Sequence, residues 1–184
     1  MSASYPTITI DLVLDRNTTR EVLNGVLHAI LFHRLFGLVK PQTFEVLDVT
    51  LPGVSDTEIE QLVNEKVEAF RRSVETGSSK RGQAGLPLQP RRPKKSWFQV
   101  YMGEEEVPWE QWVINAEVRQ PRTDRDRQQF DTTLAATLTK AVQTMLTHTS
   151  SEKGRQAVPL ITNSSGISPF PLRIVTNVGG VEVG

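Results

Sequence analysis

Cysteine is missing from this chain, which excludes disulfides, thiolate metal sites and cysteine nucleophiles. Net charge is missing too, since 21 Lys and Arg balance 21 Asp and Glu. A neutral chain is not built mainly to wrap nucleic acid or to coat anionic lipid, and it needs another source of solubility, one candidate being a partner that covers an apolar face. No apolar run approaches the roughly 20 residues that span a bilayer. The stretch Met1 to Pro6 lacks the charged-then-apolar pattern of a secretory signal, so a cytoplasmic location is expected. There is no glycine-rich phosphate loop, no helical metal pair and no serine elbow. No catalytic activity, cofactor or metal is therefore expected.

What is present fits one domain over 1–184, long enough to bury roughly 70% of its unfolded surface. Aromatics make up only 7% of the chain, yet all three tryptophans fall between Trp97 and Trp112. Pro108, Trp109 and Trp112 lead into an apolar run. They are read as the start of a core strand, with Trp112, Ile114, Ala116 and Val118 on one face. Trp97 and Phe98 sit instead between Arg91-Arg92-Pro93-Lys94-Lys95 and Glu104-Glu105-Glu106. An aromatic pair in charged surroundings either folds back on the core or waits for a partner.

Thr7 to Leu14 alternates as a half-buried strand. A helix capped by Asn17 or Thr18 follows, apolar on nearly every side, with Gly37 closing it. Phe44 to Leu51 reads as a strand and Pro52-Gly53 as a turn. Ser55 to Glu58 reads as a capping box for an amphipathic helix carrying Ile59, Val63, Val67, Phe70 and Val74. Residues 76–96, rich in Gly, Ser, Pro and basic side chains, read as a long loop delivering the chain to Trp97. It is expected to be dispensable for folding. A helix from Thr123 or Asp124 to about His148 comes next, then a polar loop over 150–168, a strand over 171–176 and a turn at Gly179-Gly180. The order predicts an α+β domain with about three helices against one mostly antiparallel sheet.

His28 and His33 are five apart on the central helix, which places them on different faces. They are read as core or partner-facing side chains. The basic stretch Lys80, Arg81, Arg91, Arg92, Lys94 and Lys95 leaves open a lipid- or nucleic-acid-binding module as the alternative, although the usual reading of such a run is a solvated face.

Three stretches carry a family resemblance. Val26-Leu27-His28-Ala29-Ile30-Leu31-Phe32-His33-Arg34, Trp97-Phe98 after its basic run, and Val107-Pro108-Trp109-Glu110-Gln111-Trp112-Val113 resemble the autophagy-related protein 101 family of HORMA-domain proteins. The third is the most specific. Relatives often carry a proline between the tryptophan and phenylalanine of the second stretch, whereas here the two are adjacent. The resemblance implies a HORMA-like fold and a non-catalytic adaptor subunit of the autophagy-initiation kinase complex. It further implies pairing with the HORMA domain of autophagy-related protein 13, recruitment of later autophagy factors through a Trp97-Phe98 finger, and a place at the preautophagosomal structure. No nucleic acid is expected as a partner, and any membrane contact would be indirect.

Overall fold

A computed structural model of the chain describes residues 5–89, 107–161, 168 and 170–184. Strands β1 (Thr7–Leu14), β4 (Arg81–Leu88), β5 (Glu110–Val118), β6 (Val175–Val178) and β7 (Val181–Val183) form a five-stranded sheet ordered β1-β5-β4-β6-β7. Only the β1–β5 pairing is parallel. A separate hairpin joins β2 (Pro41–Val46) to β3 (Val49–Val54). The helices are α1 (Thr19–Arg34), α2 (Thr57–Thr76), α3 (Asp124–Ser150) and the short α4 (Glu152–Ala157). This α+β arrangement is consistent with a HORMA-like fold, with four helices among the described residues rather than three.

The even-numbered residues of β1, β4 and β5 face inward: Ile10, Leu12 and Leu14, then Ala84, Leu86 and Leu88, then Trp112, Ile114 and Ala116. They meet the apolar stripes of the helices in one hydrophobic cluster. Helix α1 is enclosed on nearly every side, with β2–β3, α2 and α3 packed around it. Gly25 permits the closest of these approaches, because a Cβ there would lie 2.6 Å from Leu51 Cδ1. Asp15 Oδ1 accepts from the backbone N–H groups of Asn17 and Thr18 and so organises the start of α1. The Thr18 side chain does not cap.

The largest departure from expectation is β4. Residues 76–96 are not one loop, because Arg81–Leu88 is an interior strand paired with both β5 and β6. Its composition is permitted by position. Backbone groups of even residues point to β5, as Lys80 O and Leu88 O do, whereas those of odd residues point to the β6 side, as Arg81 O does. The missing N–H of Pro87 therefore falls beyond Gly85, the last residue paired with β6, where the ladder loses nothing. Gly82 is required because the Phe70 ring and the Asn177 carbonyl occupy the space of a side chain. With Leu86 and Leu88 buried, replacing this segment by a linker would remove part of the core, which overturns the expectation that it is dispensable.

Smaller corrections follow the same logic of position. The strand expected over 44–51 is a hairpin turning at Leu47-Asp48, both with positive φ (50° and 63°), and Pro52-Gly53 lies within β3. Helix α1 ends at Arg34, before Gly37. Helix α2 is capped by Asp56, whose Oδ1 accepts from Ile59 N, in place of a Ser55–Glu58 box. The polar stretch after α3 contains α4, and the strand expected over 171–176 begins at Val175. The Gly179-Gly180 turn stands as read, with φ of 60° and 83°.

Candidate protein-interaction surface

The inward register of β5 runs back one step further than its apolar residues, to Glu110, which is fully buried. A carboxylate in that position is costly unless every lone pair is used. Arg34, the last residue of α1, donates from Nε to Oε2 and from Nη2 to Oε1, both at 2.7 Å. Trp112 Nε1 donates to Oε2 at 2.8 Å, and His148 Nε2 lies 2.5 Å from Oε1. Arg34 Nη2 also reaches the Gly154 carbonyl of α4 at 3.0 Å. The Arg34 guanidinium lies 5.5 Å from the Trp109 ring centroid, and the Trp109 ring meets Phe170 at 5.4 Å. One buried ion pair thus ties together the ends of α1 and α3, helix α4, the start of β5 and the segment around Phe170.

This hub accounts for the Pro108-Trp109-Glu110-Gln111-Trp112 stretch. Trp112 is core, Trp109 and Pro108 are half-buried just before β5, and the glutamate between the tryptophans is the ligand of Arg34. Sequence reasoning treated the tryptophans as a strand start and passed over Glu110, Arg34 and His148 as a set. The signal was available, because the period-2 face that holds Trp112, Ile114 and Ala116 includes Glu110.

His28 is a core residue. Its Nδ1 accepts from Val54 N–H at 3.3 Å, its ring lies 4.7 Å from that of Phe44, and burial lowers its pKa, with the Glu60 charge opposing in part. His33 is half-buried, with Nδ1 2.6 Å from the Ala29 carbonyl. Trp97 and Phe98 lie outside the described residues, as do Arg91, Arg92, Lys94 and Lys95. Lys80 and Arg81 are both engaged, the first donating to the Val74 carbonyl and the second lying 3.6 Å from Glu117.

Six of the eight exposed large hydrophobics among the described residues lie close in sequence to the hub residues. Phe32 and Leu38 flank Arg34, Val107 precedes Glu110, Leu146 precedes His148, and Leu160 and Ile161 follow α4. Leu160 and Leu38 are 88% and 80% exposed. Leu88 and Glu110 are direct partners in the β4–β5 ladder, with Trp109 N donating to Leu88 O at 2.8 Å. Among the described residues no group of three or more His, Asp or Glu could hold a metal ion, and no helix is long and apolar enough to cross a membrane.

The family model described as Autophagy-related protein 101 matches residues 11–165, which include Arg34, Glu110, His148 and Gly154. The chain belongs to that family. It is 30% identical over 174 residues to the Autophagy-related protein 101 of Schizosaccharomyces pombe, covering 95% of this chain and 89% of the relative. It is 35% identical over 114 residues to the Autophagy-related protein 101 of Arabidopsis thaliana, covering 60% of this chain and 52% of the relative. Membership of the family gives the chain a role in autophagy.

Proposed function

We propose that this chain is a non-catalytic adaptor of autophagy initiation. It pairs with the HORMA domain of autophagy-related protein 13 within the kinase complex and recruits later factors through Trp97 and Phe98. One observation supports this reading above the others. Leu88 and Glu110, which flank the aromatic pair in sequence, are direct partners in the β4–β5 ladder, and Glu110 belongs to a buried ion pair close in sequence to exposed apolar side chains. A recognition element benefits from such an anchor, because an exposed aromatic dominates an interface once a partner's pocket buries it.

The test is the double variant Trp97→Ala/Phe98→Ala, measured for melting, for co-elution with the partner HORMA domain, and for autophagosome formation in cells lacking the native protein. Near-native melting and intact pairing with loss of autophagosomes is the expected result. A variant destabilised by about 3 kcal/mol or more, the cost of truncating a core aromatic, would show that the pair belongs to the core. Separate elution of the wild-type chain and its partner would remove the pairing.

A further inference from the structure

The two edges of the five-stranded sheet differ in how they are protected. Edge strand β7 is three residues long and carries Glu182. Edge strand β1 is eight residues long, carries Asp11 as its single charge, and has no partner on its outer side among the described residues. Pro6 O accepts from Gln111 N and Leu14 O accepts from Arg119 N, so the backbone groups of even β1 residues point to β5. Those of Thr7, Thr9, Asp11 and Val13 therefore point outward. Long edges of this kind are usually blunted by charged side chains, proline or a bulge, or covered by another segment, and between Thr7 and Leu14 the sequence offers only Asp11, with no lysine and no proline.

We infer that this edge pairs with the same edge of a second copy of the chain, antiparallel about a dyad perpendicular to the sheet. The strand is self-complementary in one register. With Thr9 opposite the partner's Asp11 and Thr7 opposite the partner's Val13, every outward residue lies in a hydrogen-bonded pair exchanging two N–H···O bonds. Each Asp11 carboxylate then faces a threonine hydroxyl that can donate to it. A row of polar side chains already crosses the open face, Gln83 Nε2 donating to Asn115 Oδ1 and Asn115 Nδ2 to Asp11 Oδ1, and it would continue across the dyad. On the inner face Ile10 meets the partner's Ile10 and Ile8 the partner's Leu12. Ile8 is the one inward residue of β1 left only half-buried, so the contact covers apolar surface that the single chain leaves open. A shift by one pair in one direction would set Asp11 against the partner's Asp11, which like-charge repulsion disfavours. A shift in the other sets Thr9 against the partner's Thr9.

Opposite substitutions at exposed Thr9 test the pairing and its register. Sedimentation equilibrium of the full chain should show reversible dimerisation. Thr9→Asp should weaken it about ten-fold and Thr9→Lys strengthen it, because each dimer gains two repulsive or two attractive pairs with Asp11. Hydrogen exchange at the amides of Thr7, Thr9, Asp11 and Val13 should slow as concentration rises, in step with the dimer fraction. The inference is overturned by a chain that stays monomeric into the high micromolar range, or by a dimer that both substitutions weaken or neither affects. It is also overturned by outward amides protected at every concentration, which would mean that another segment covers the edge. Melting of both variants near that of wild type confirms that the fold is not what changed.

Discussion

Two charge clusters in this molecule use the same chemistry in opposite surroundings. At the hub, Arg34 and Glu110 have side chains 3% and 0% exposed. Along the outer side of α2, Glu68 and Glu75 bind Arg16, Arg20 and Arg71, with Arg16 and Arg20 67% and 60% exposed. The bond lengths are similar, 2.7 Å for Arg34–Glu110 and 2.7 Å for Arg71–Glu75. The consequences of breaking them are not. Water can replace a lost partner on α2, whereas at the hub it cannot reach, so what matters there is the orphan left behind.

The largest effect is therefore expected at Glu110. Glu110→Ala leaves Arg34 buried without a counter-charge and strips Trp112 Nε1 of its acceptor, which should cost about 3–5 kcal/mol. That corresponds to a fall in melting temperature of roughly 6–20 °C for a chain of this size. Arg34→Met combined with Glu110→Leu should be less damaging than the sum of the two single changes, because no charge is left unpaired. Thermal denaturation of the three variants decides it, and additive losses would mean that the pair is not coupled.

An intermediate effect is expected at His28, a buried titratable group outside either cluster. Burial holds its folded pKa below the ordinary value of about 6.5. On acidification the unfolded chain takes up the proton first, so the stabilisation is complete above about pH 6.5 and is lost as pH falls below it. His28→Asn keeps an acceptor for Val54 N–H and removes the titration. Between about pH 7.5 and pH 5.5 the wild type should lose more melting temperature than this variant, and parallel profiles would show that His28 stays accessible to protons in the fold.

The smallest effect is expected on α2. The Arg71 guanidinium beside Glu68 holds its carboxyl below the usual range, yet the pair is partly solvated. Glu68→Gln should shift melting by no more than about 2 °C, and the shift should shrink further with added salt. A loss comparable to that of Glu110→Ala would erase the distinction between the clusters.

Elements with a clear hydrophobic period were legible: β1, the stripes of α1, α2 and α3, the inward face of β5 and the glycine turn before β7. Strand β4 was not, because Gly82, Gly85 and Pro87 are disfavoured in strands on average; Gly82 is explained only by the Phe70 ring and the Asn177 carbonyl, and Pro87 only by where the pairing with β6 ends. Helix α4 is too short to show a period. At the candidate site, the stretch from Pro108 to Trp112 was marked by its tryptophans, but its chemistry resides in the glutamate between them. Glu110 meets its partners only after α1 and α3 have folded against β5, a proximity that no local spacing encodes. Trp97 and Phe98, the aromatic pair in charged surroundings, lie outside the described residues.

The parallel pairing of β1 with β5 also sets an order of assembly. Thr7 leaves the ribosome early, but its ladder partner Gln111 follows only after α1, the β2–β3 hairpin, α2 and β4 have been made. Contacts that join such distant points slow folding, because the entropy of closing the intervening chain is lost before the contact repays it. During synthesis β1 therefore waits with both edges unpaired, whereas in the folded chain one of them is paired with β5. A chain interrupted before Glu110 would carry its first strand with no sheet to join, and aggregation of such fragments is the hazard built into this topology.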